Sequence, residues 1–322
     1  MSTQVFVASN LEWTLDRFAE DVRRGLSAPG QKYIPATYLY DAIGSTLFDA
    51  ITLLPEYGLT RADEALLRKH APDIAARCGD NVFVAELGSG SGAKTRALLQ
   101  ALGSDSIPYY PIDVSRSALE RCLGELDRFA DVRPVQGSYL DGLSRVLEER
   151  APGKRMLLLF LGSTIGNFDK PAAIAFLKQI RAAMLPGDHL LIGADLVKPM
   201  SKMLPAYDDP GGITAAFNLN LLARINRELG ADFDLRAFHP EVRWCEREQR
   251  IEMHLRSQYQ HAVHIPGAGI DVHFNSGETI WTESSHKFTL DGLAALAVTT
   301  GFQQEAGWVN DEWPFAECLW AV

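Results

Sequence analysis

The chain has 322 residues, 47% of them hydrophobic and 22% charged, with a formal net charge of −10; that is the make-up of a soluble globular protein long enough for two domains. The acidic balance argues against a nucleic-acid partner, which needs a basic face, and no run of about 18 apolar residues offers a membrane-spanning helix. Four cysteines, Cys78, Cys122, Cys245 and Cys318, form no C-x-x-C pair and suit reduced thiols in a cytoplasmic protein.

The opening stretch, MSTQVFVASNLEWTLDRFAEDVRRGL, lacks a basic head before an apolar core, so no secretion signal is expected. It reads instead as an amphipathic helix with Leu11, Leu15, Phe18, Val22 and Leu26 at helical spacing. From about residue 60 to 197, strand and helix patterns alternate. Strands are expected at Val82–Leu87, Tyr109–Val114, Val132–Val135, Met156–Leu161 and His189–Ala194, with helices at Ser117–Phe129 and Pro171–Met184. Such alternation predicts an α/β protein built on a parallel, doubly wound sheet. Beyond Lys198 the pattern changes to the turn AYDDPGG, a helix over Ile213–Leu229, strands at Glu241–Trp244 and Arg250–Arg256, and the turn PGAG. Because Gly301–Val322 again reads as strand, turn, strand, this block is read as an insertion. The expected division is 61–198 with 286–322 as one domain, and 1–60 with 199–285 as a second, α+β domain.

The chemistry concentrates first at Val82–Gly92, VFVAELGSGSG, where an apolar run breaks into Gly88, Gly90 and Gly92 before a helix pattern. Only bare backbone turns that tightly and lets a nucleotide-like ligand press against the chain. Asp113 ends the next apolar run, 21 residues after Gly92, where an acid grips a ribose hydroxyl pair. Dinucleotide sites favour G-x-G-x-x-G; the spacing here, E-x-G-x-G-x-G from Glu86, resembles the first motif of Rossmann-like methyltransferases that use S-adenosylmethionine. Lys94 is open to two readings, partner of the methionyl carboxylate or solvated first-turn lysine. His261 and His264 form an H-x-x-H without a zincin-like glutamate, so an exposed pair near a turn is expected and no metal site.

More specific are TYLYDAIGSTLFDAITLLPEY (37–57), FLGSTIGNF (160–168), AYDDPGGITAAFNLNLL (206–222), NRELGADFDLRAF (226–238), RIEMHLRS (250–257) and TESSHKF (282–288). In this order they resemble the histidine-specific Nα-methyltransferases of ergothioneine biosynthesis, over nearly the whole chain. The resemblance implies a class I methyltransferase sheet with an inserted substrate-binding domain, and S-adenosylmethionine held by Gly88, Lys94, Asp113 and Tyr139. It implies that Tyr40, Tyr57, Asn167 and Tyr207 surround the α-amine and carboxylate of L-histidine, Asn167 and Tyr40 nearest the chemistry. Glu283 and Ser285 would face the imidazole, with Met253 lining that end. The expected product is the trimethylated betaine hercynine, made by a cytoplasmic enzyme that is a monomer. Residue by residue, blander roles stand beside these: Tyr40 and Tyr57 as core tyrosines, Asn167 as a helix cap, Glu283 as a solvated strand-end charge, Asp208 and Asp209 as turn or helix-entry groups. The chain departs from the family at Gly58–Leu59, where a tyrosine and a proline are usual, at Ser138, where an acid commonly precedes the adenine-flanking aromatic, and at His286, which is read as structural.

Overall fold

The computed structural model describes residues 6–7, 15–103 and 107–322; Leu11, assigned above to the first helix, lies outside them. Two compact units emerge, one of Met1–Leu11, Leu59–Val197 and His286–Val322, the other of Glu12–Gly58 and Lys198–Ser285.

The first unit is built on a nine-stranded sheet. Its main path runs Phe6–Val7, Val135–Gln136, Pro108–Asp113, Val82–Leu87, Arg155–Phe160, His189–Asp195, Phe315–Ala321, Gln303–Asn310. All neighbours are parallel as far as His189–Asp195; the last two strands return antiparallel. This is a doubly wound parallel sheet closed at one end by an antiparallel pair. Every residue of Val82–Leu87 is buried, as expected of a strand with helices on both faces. Side chains alternate between two cores: Val82 and Val84 pack with Leu67, Ile74 and Leu126, while Phe83, Ala85 and Leu87 pack with Leu143, Phe176 and Leu293.

Three expectations are corrected here. Residues 1–60 were grouped with the insertion, yet Phe6–Val7 pairs in parallel with Val135–Gln136 at the edge of the large sheet; two residues are too short a run to show strand periodicity. The helix spans Leu15–Leu26 and buries Phe18, Val22 and Leu26, whereas Leu15, in its first turn, is 56% exposed. The single strand expected at Val132–Val135 is two short ones, Asp131–Val132 and Val135–Gln136. Pro134 lies between them and has no N–H for a ladder bond.

The second unit contains a four-stranded sheet in the order Lys32–Tyr33, Thr279–His286, Arg250–Ser257, Phe238–Cys245, and a hairpin of His261–Ile265 with Ile270–Phe274. The helix Ile213–Leu229 is flanked by Gly212 and Gly230, both left-handed, and buries Phe217, Leu221 and Ile225. His261 and His264 sit three apart on one strand, so their side chains leave by opposite faces; His264 pairs instead with Asp271, 2.6 Å away.

Candidate active site

In the first unit the glycine turn closes against the end of the neighbouring strand. Gly88, Gly90 and Gly92 all have positive φ, 71°, 55° and 69°. A methyl group added at Gly90 would meet nothing within 4 Å, leaving open room for a ligand, whereas one at Gly92 would strike Cys122 and Leu126. Asp113 stands over this turn: one carboxylate oxygen accepts from Gly90 N–H at 3.0 Å, the other from Ser115 N–H at 2.9 Å. Burial raises the Asp113 pKa, and the donors of Ser115 and Gly90 pull against it. Each oxygen keeps a second lone pair, as a ribose diol requires. Tyr139 lies across Gly88, its ring 3.3 Å from where a β-carbon would be. Burial, then the Asp113 charge, raises its pKa, so it is a neutral aromatic wall. An adenosine-type ligand fits this open turn, carboxylate and aromatic face. Ser138, the departure noted above, caps the helix Tyr139–Glu148 through its side chain, a structural task independent of any adenine contact.

Lys94 is not the solvated lysine that one reading allowed. Its ammonium lies 3.0 Å from Asp63, whose side chain is fully buried, while its own is 19% exposed. Burial works against the Lys94 charge, but Asp63 and then Glu86 outweigh it and raise its pKa. The same Asp63 oxygen accepts from Gly162 N–H at 3.0 Å, so one carboxylate ties the glycine turn to the loop after Arg155–Phe160. Glu86 is buried below the turn and accepts from Thr95 and Tyr109 hydroxyls. Glu317, also buried, has its pKa pushed well up by burial and by Asp63. Sequence reasoning missed Asp63 and Glu317 as parts of this network, and nothing local to either residue signals it.

The loop bearing Asn167 is tightly built. Ser163 adopts φ 58°, and its hydroxyl accepts from Asp195 N–H at 2.9 Å. The turn Thr164–Asn167 follows. Asp169, not Asn167, caps the next helix by accepting from Ala172 N–H, which removes the capping role as an account of Asn167. The Asn167 side chain is exposed.

The second unit gathers the other expected side chains. Tyr40 packs edge-on against Phe48 and Phe217, both at 5.5 Å, Phe48 reaches Tyr57 at 6.3 Å, and Tyr57 reaches Tyr207 at 6.4 Å. Tyr207 completes the chain through its hydroxyl, 2.8 Å from Ser285 Oγ. Met203, Ile251 and Met253 form a small buried cluster against which Tyr207 packs. Glu283 shares a strand with Ser285 and is half-buried. Thr282, between Trp281 and Glu283, is pinned by bonds to Asn218 and the Met253 carbonyl. Phe48 and Phe217, which link Tyr40 to Tyr57 through ring contacts, were not singled out in the sequence.

Asp209, two residues after Tyr207, is the helix-entry group anticipated: it accepts from Ile213 N–H at 3.0 Å and Thr214 N–H at 2.8 Å. Burial opposes its ionisation, but these donors prevail and lower its pKa. A folded-state pKa below the unfolded value means the stabilisation is present above pH ~4 and fades as pH falls through the folded value. Asp209→Ala is therefore expected to cost about 0.5–2 kcal/mol near neutrality, with the difference from wild type vanishing in acid; urea unfolding at neutral and acidic pH measures both.

Comparison with known proteins gives the family. The family described as histidine-specific methyltransferase, S-adenosylmethionine-dependent, matches residues 18–322. A histidine N-alpha-methyltransferase of Mycobacterium tuberculosis is 40% identical over 304 residues, covering 93% of either chain. Ergothioneine biosynthesis protein 1 of Neurospora crassa is 32% identical over 87% of this chain and 32% of its own. An L-tryptophan methyltransferase of Psilocybe serbica is 30% identical over 89% of this chain and 87% of its own. The glycine turn under Asp113 and Tyr139 thus has its biological context: the chain belongs to the S-adenosylmethionine-dependent, histidine-specific methyltransferases.

Proposed function

We propose that this enzyme methylates the α-amine of L-histidine three times in succession, giving the trimethylated betaine for ergothioneine biosynthesis. Family membership and the 40% identical histidine N-alpha-methyltransferase support the reaction. The observation that carries the substrate is Ser285, hydrogen-bonded to Tyr207 at 2.8 Å, on the same strand as half-buried Glu283. A carboxylate accepts from an imidazole N–H, and a hydroxyl serves the other ring nitrogen. Met253 supplies the apolar end.

S-Adenosylmethionine supplies an electrophilic methyl group on a sulfonium. Gly88, Asp113 and Tyr139 hold the adenosine portion in this reading, and Lys94, kept charged by Asp63, faces the methionyl carboxylate. The amine must be neutral and held about 3 Å from the methyl carbon, in line. Asn167 would orient it, its amide oxygen accepting from an amine N–H while its nitrogen donates to the substrate carboxylate, with Tyr57 and Tyr207 assisting. Tyr40 acts as an aromatic wall for the growing cation, which loses hydrogen-bond donors with each transfer. A phenol with a pKa of about 10 is a poor base at neutral pH, so Tyr40 is not given the proton. Unpaired cysteines suit the reduced thiols of a cytosolic setting; we take the enzyme to act as a monomer.

The test is methyl transfer to a panel of amino acids, with Glu283→Ala alongside. Wild type is expected to prefer histidine over tryptophan. Glu283→Ala is expected to weaken histidine binding by about 1–3 kcal/mol, the cost of an unpaired buried donor, while S-adenosylhomocysteine affinity stays unchanged. If tryptophan or a simple aromatic amine is the better wild-type substrate, the assignment of Glu283 and Ser285 fails.

A further inference from the structure

The loop that presents Asn167 is gripped at one point by His286, read from the sequence only as structural. His286 Nδ1 lies 2.9 Å from the carbonyl oxygen of Gly166. A carbonyl only accepts, so Nδ1 carries the hydrogen. That oxygen belongs to the peptide unit joining Gly166 to Asn167, and a peptide unit is a rigid plane. Holding its oxygen therefore sets the direction in which Asn167 leaves the chain.

The backbone of His286 grips the same place. A β-carbon on Gly166 would sit 2.8 Å from the His286 carbonyl oxygen, so only glycine permits the approach. The segment is itself immobilised: Lys287 makes a buried ion pair with Asp195 at 2.9 Å, and Asp195 N–H binds Ser163 at the start of the loop. Both ends of the Asn167 turn thus hang on His286–Lys287 and Asp195. Turn propensity alone would not hold them, since Ser163 stands at φ 58°, a conformation that costs free energy in a residue other than glycine.

We propose that His286 is a positioning residue for methyl transfer: its ring orients the Gly166–Asn167 peptide and so aims the Asn167 amide at the substrate amine. This rests on reading Asn167 as a substrate contact. The conservative variant is informative, because the asparagine Nδ2 takes the place of the imidazole Nδ1, whereas glutamine places its amide one bond farther out, near Nε2.

The experiment measures kcat and KM for histidine, and S-adenosylhomocysteine affinity by calorimetry, in His286→Ala, His286→Asn, His286→Gln, Asn167→Ala and the double variant of His286→Ala with Asn167→Ala. His286→Ala and His286→Gln are expected to lose roughly 10- to 100-fold in kcat/KM for histidine, the scale of a small misplacement at a reacting centre. His286→Asn returns to within about threefold of wild type, less than the change that one ordinary hydrogen bond brings. S-Adenosylhomocysteine affinity is the same in all. In the Asn167→Ala background, His286→Ala adds no further loss. The proposal is overturned if His286→Ala keeps wild-type kcat/KM, if His286→Asn is as impaired as His286→Ala, or if cofactor affinity falls in parallel. Full activity in Asn167→Ala would instead refute the substrate role of Asn167 itself.

Discussion

Replacing Lys287 by methionine is expected to lower the unfolding free energy by about 3–5 kcal/mol, the cost of breaking a buried ion pair by removing one member. The Lys287 side chain is fully buried, and its ammonium lies 2.9 Å from an Asp195 oxygen whose side chain is 2% exposed. After substitution the buried Asp195 carboxylate keeps the indole N–H of Trp313, 2.9 Å from its other oxygen, but loses the ammonium that faced it at 2.9 Å. Removing both charges should recover part of the loss: Lys287→Met combined with Asp195→Leu is expected to be more stable than Lys287→Met alone. Urea unfolding of the three proteins measures this. A single-variant loss below about 1 kcal/mol, the range of a surface pair, would show that the ion pair does not anchor the strand ends.

The second large effect is expected on cofactor binding. Asp113→Ala should weaken S-adenosylhomocysteine by about 2–4 kcal/mol, roughly 30- to 1,000-fold. Two losses add. The ribose hydroxyls lose a charged acceptor, each such bond contributing about 1.5–3 kcal/mol. The Gly90 and Ser115 N–H groups, which the carboxylate now holds at 3.0 and 2.9 Å, lose the partner that shapes the turn. Asp113→Asn keeps one oxygen acceptor and should fall between wild type and the alanine variant. Calorimetric titration decides; an alanine variant within threefold of wild type would mean that the ribose is held elsewhere.

The elements most legible in the sequence are those whose local and long-range demands agree. The strand Val82–Leu87 occupies the residues expected, because a run apolar but for Glu86 needs cover on both faces and then ends in a glycine turn that no strand can continue. The helix Ile213–Leu229 also has the expected bounds: glycines at 212 and 230 close both ends in conformations other residues avoid. Where one residue overrides the pattern, the reading slips, as at Pro134, which interrupts an otherwise convincing strand.

The candidate site was legible in a different way. Gly88 and Asp113 follow from spacing, since strand, turn and strand are local relations. The network beneath them is not local. Asp63, Glu86 and Glu317 lie far apart in the chain, and the fold alone brings them near Lys94. A buried acid looks in sequence like any surface acid; only burial separates the two. His286 reads in the sequence as structural, and it is its ring against the Gly166 carbonyl that shows what it holds. In the second unit, Tyr40, Tyr57, Tyr207, Met253, Glu283 and Ser285 came from resemblance to a family, not from any pattern of their own. Apolar Phe48 and Phe217, which join Tyr40 to Tyr57, are indistinguishable in sequence from ordinary core.

The most direct measurement is mass spectrometry, with fragmentation, of the products that purified protein makes from L-histidine and S-adenosylmethionine. The account predicts a product bearing three new methyl groups, all on the α-nitrogen, with an unmodified imidazole. Methylation of the ring, or no transfer to histidine while another amino acid is methylated, would contradict it.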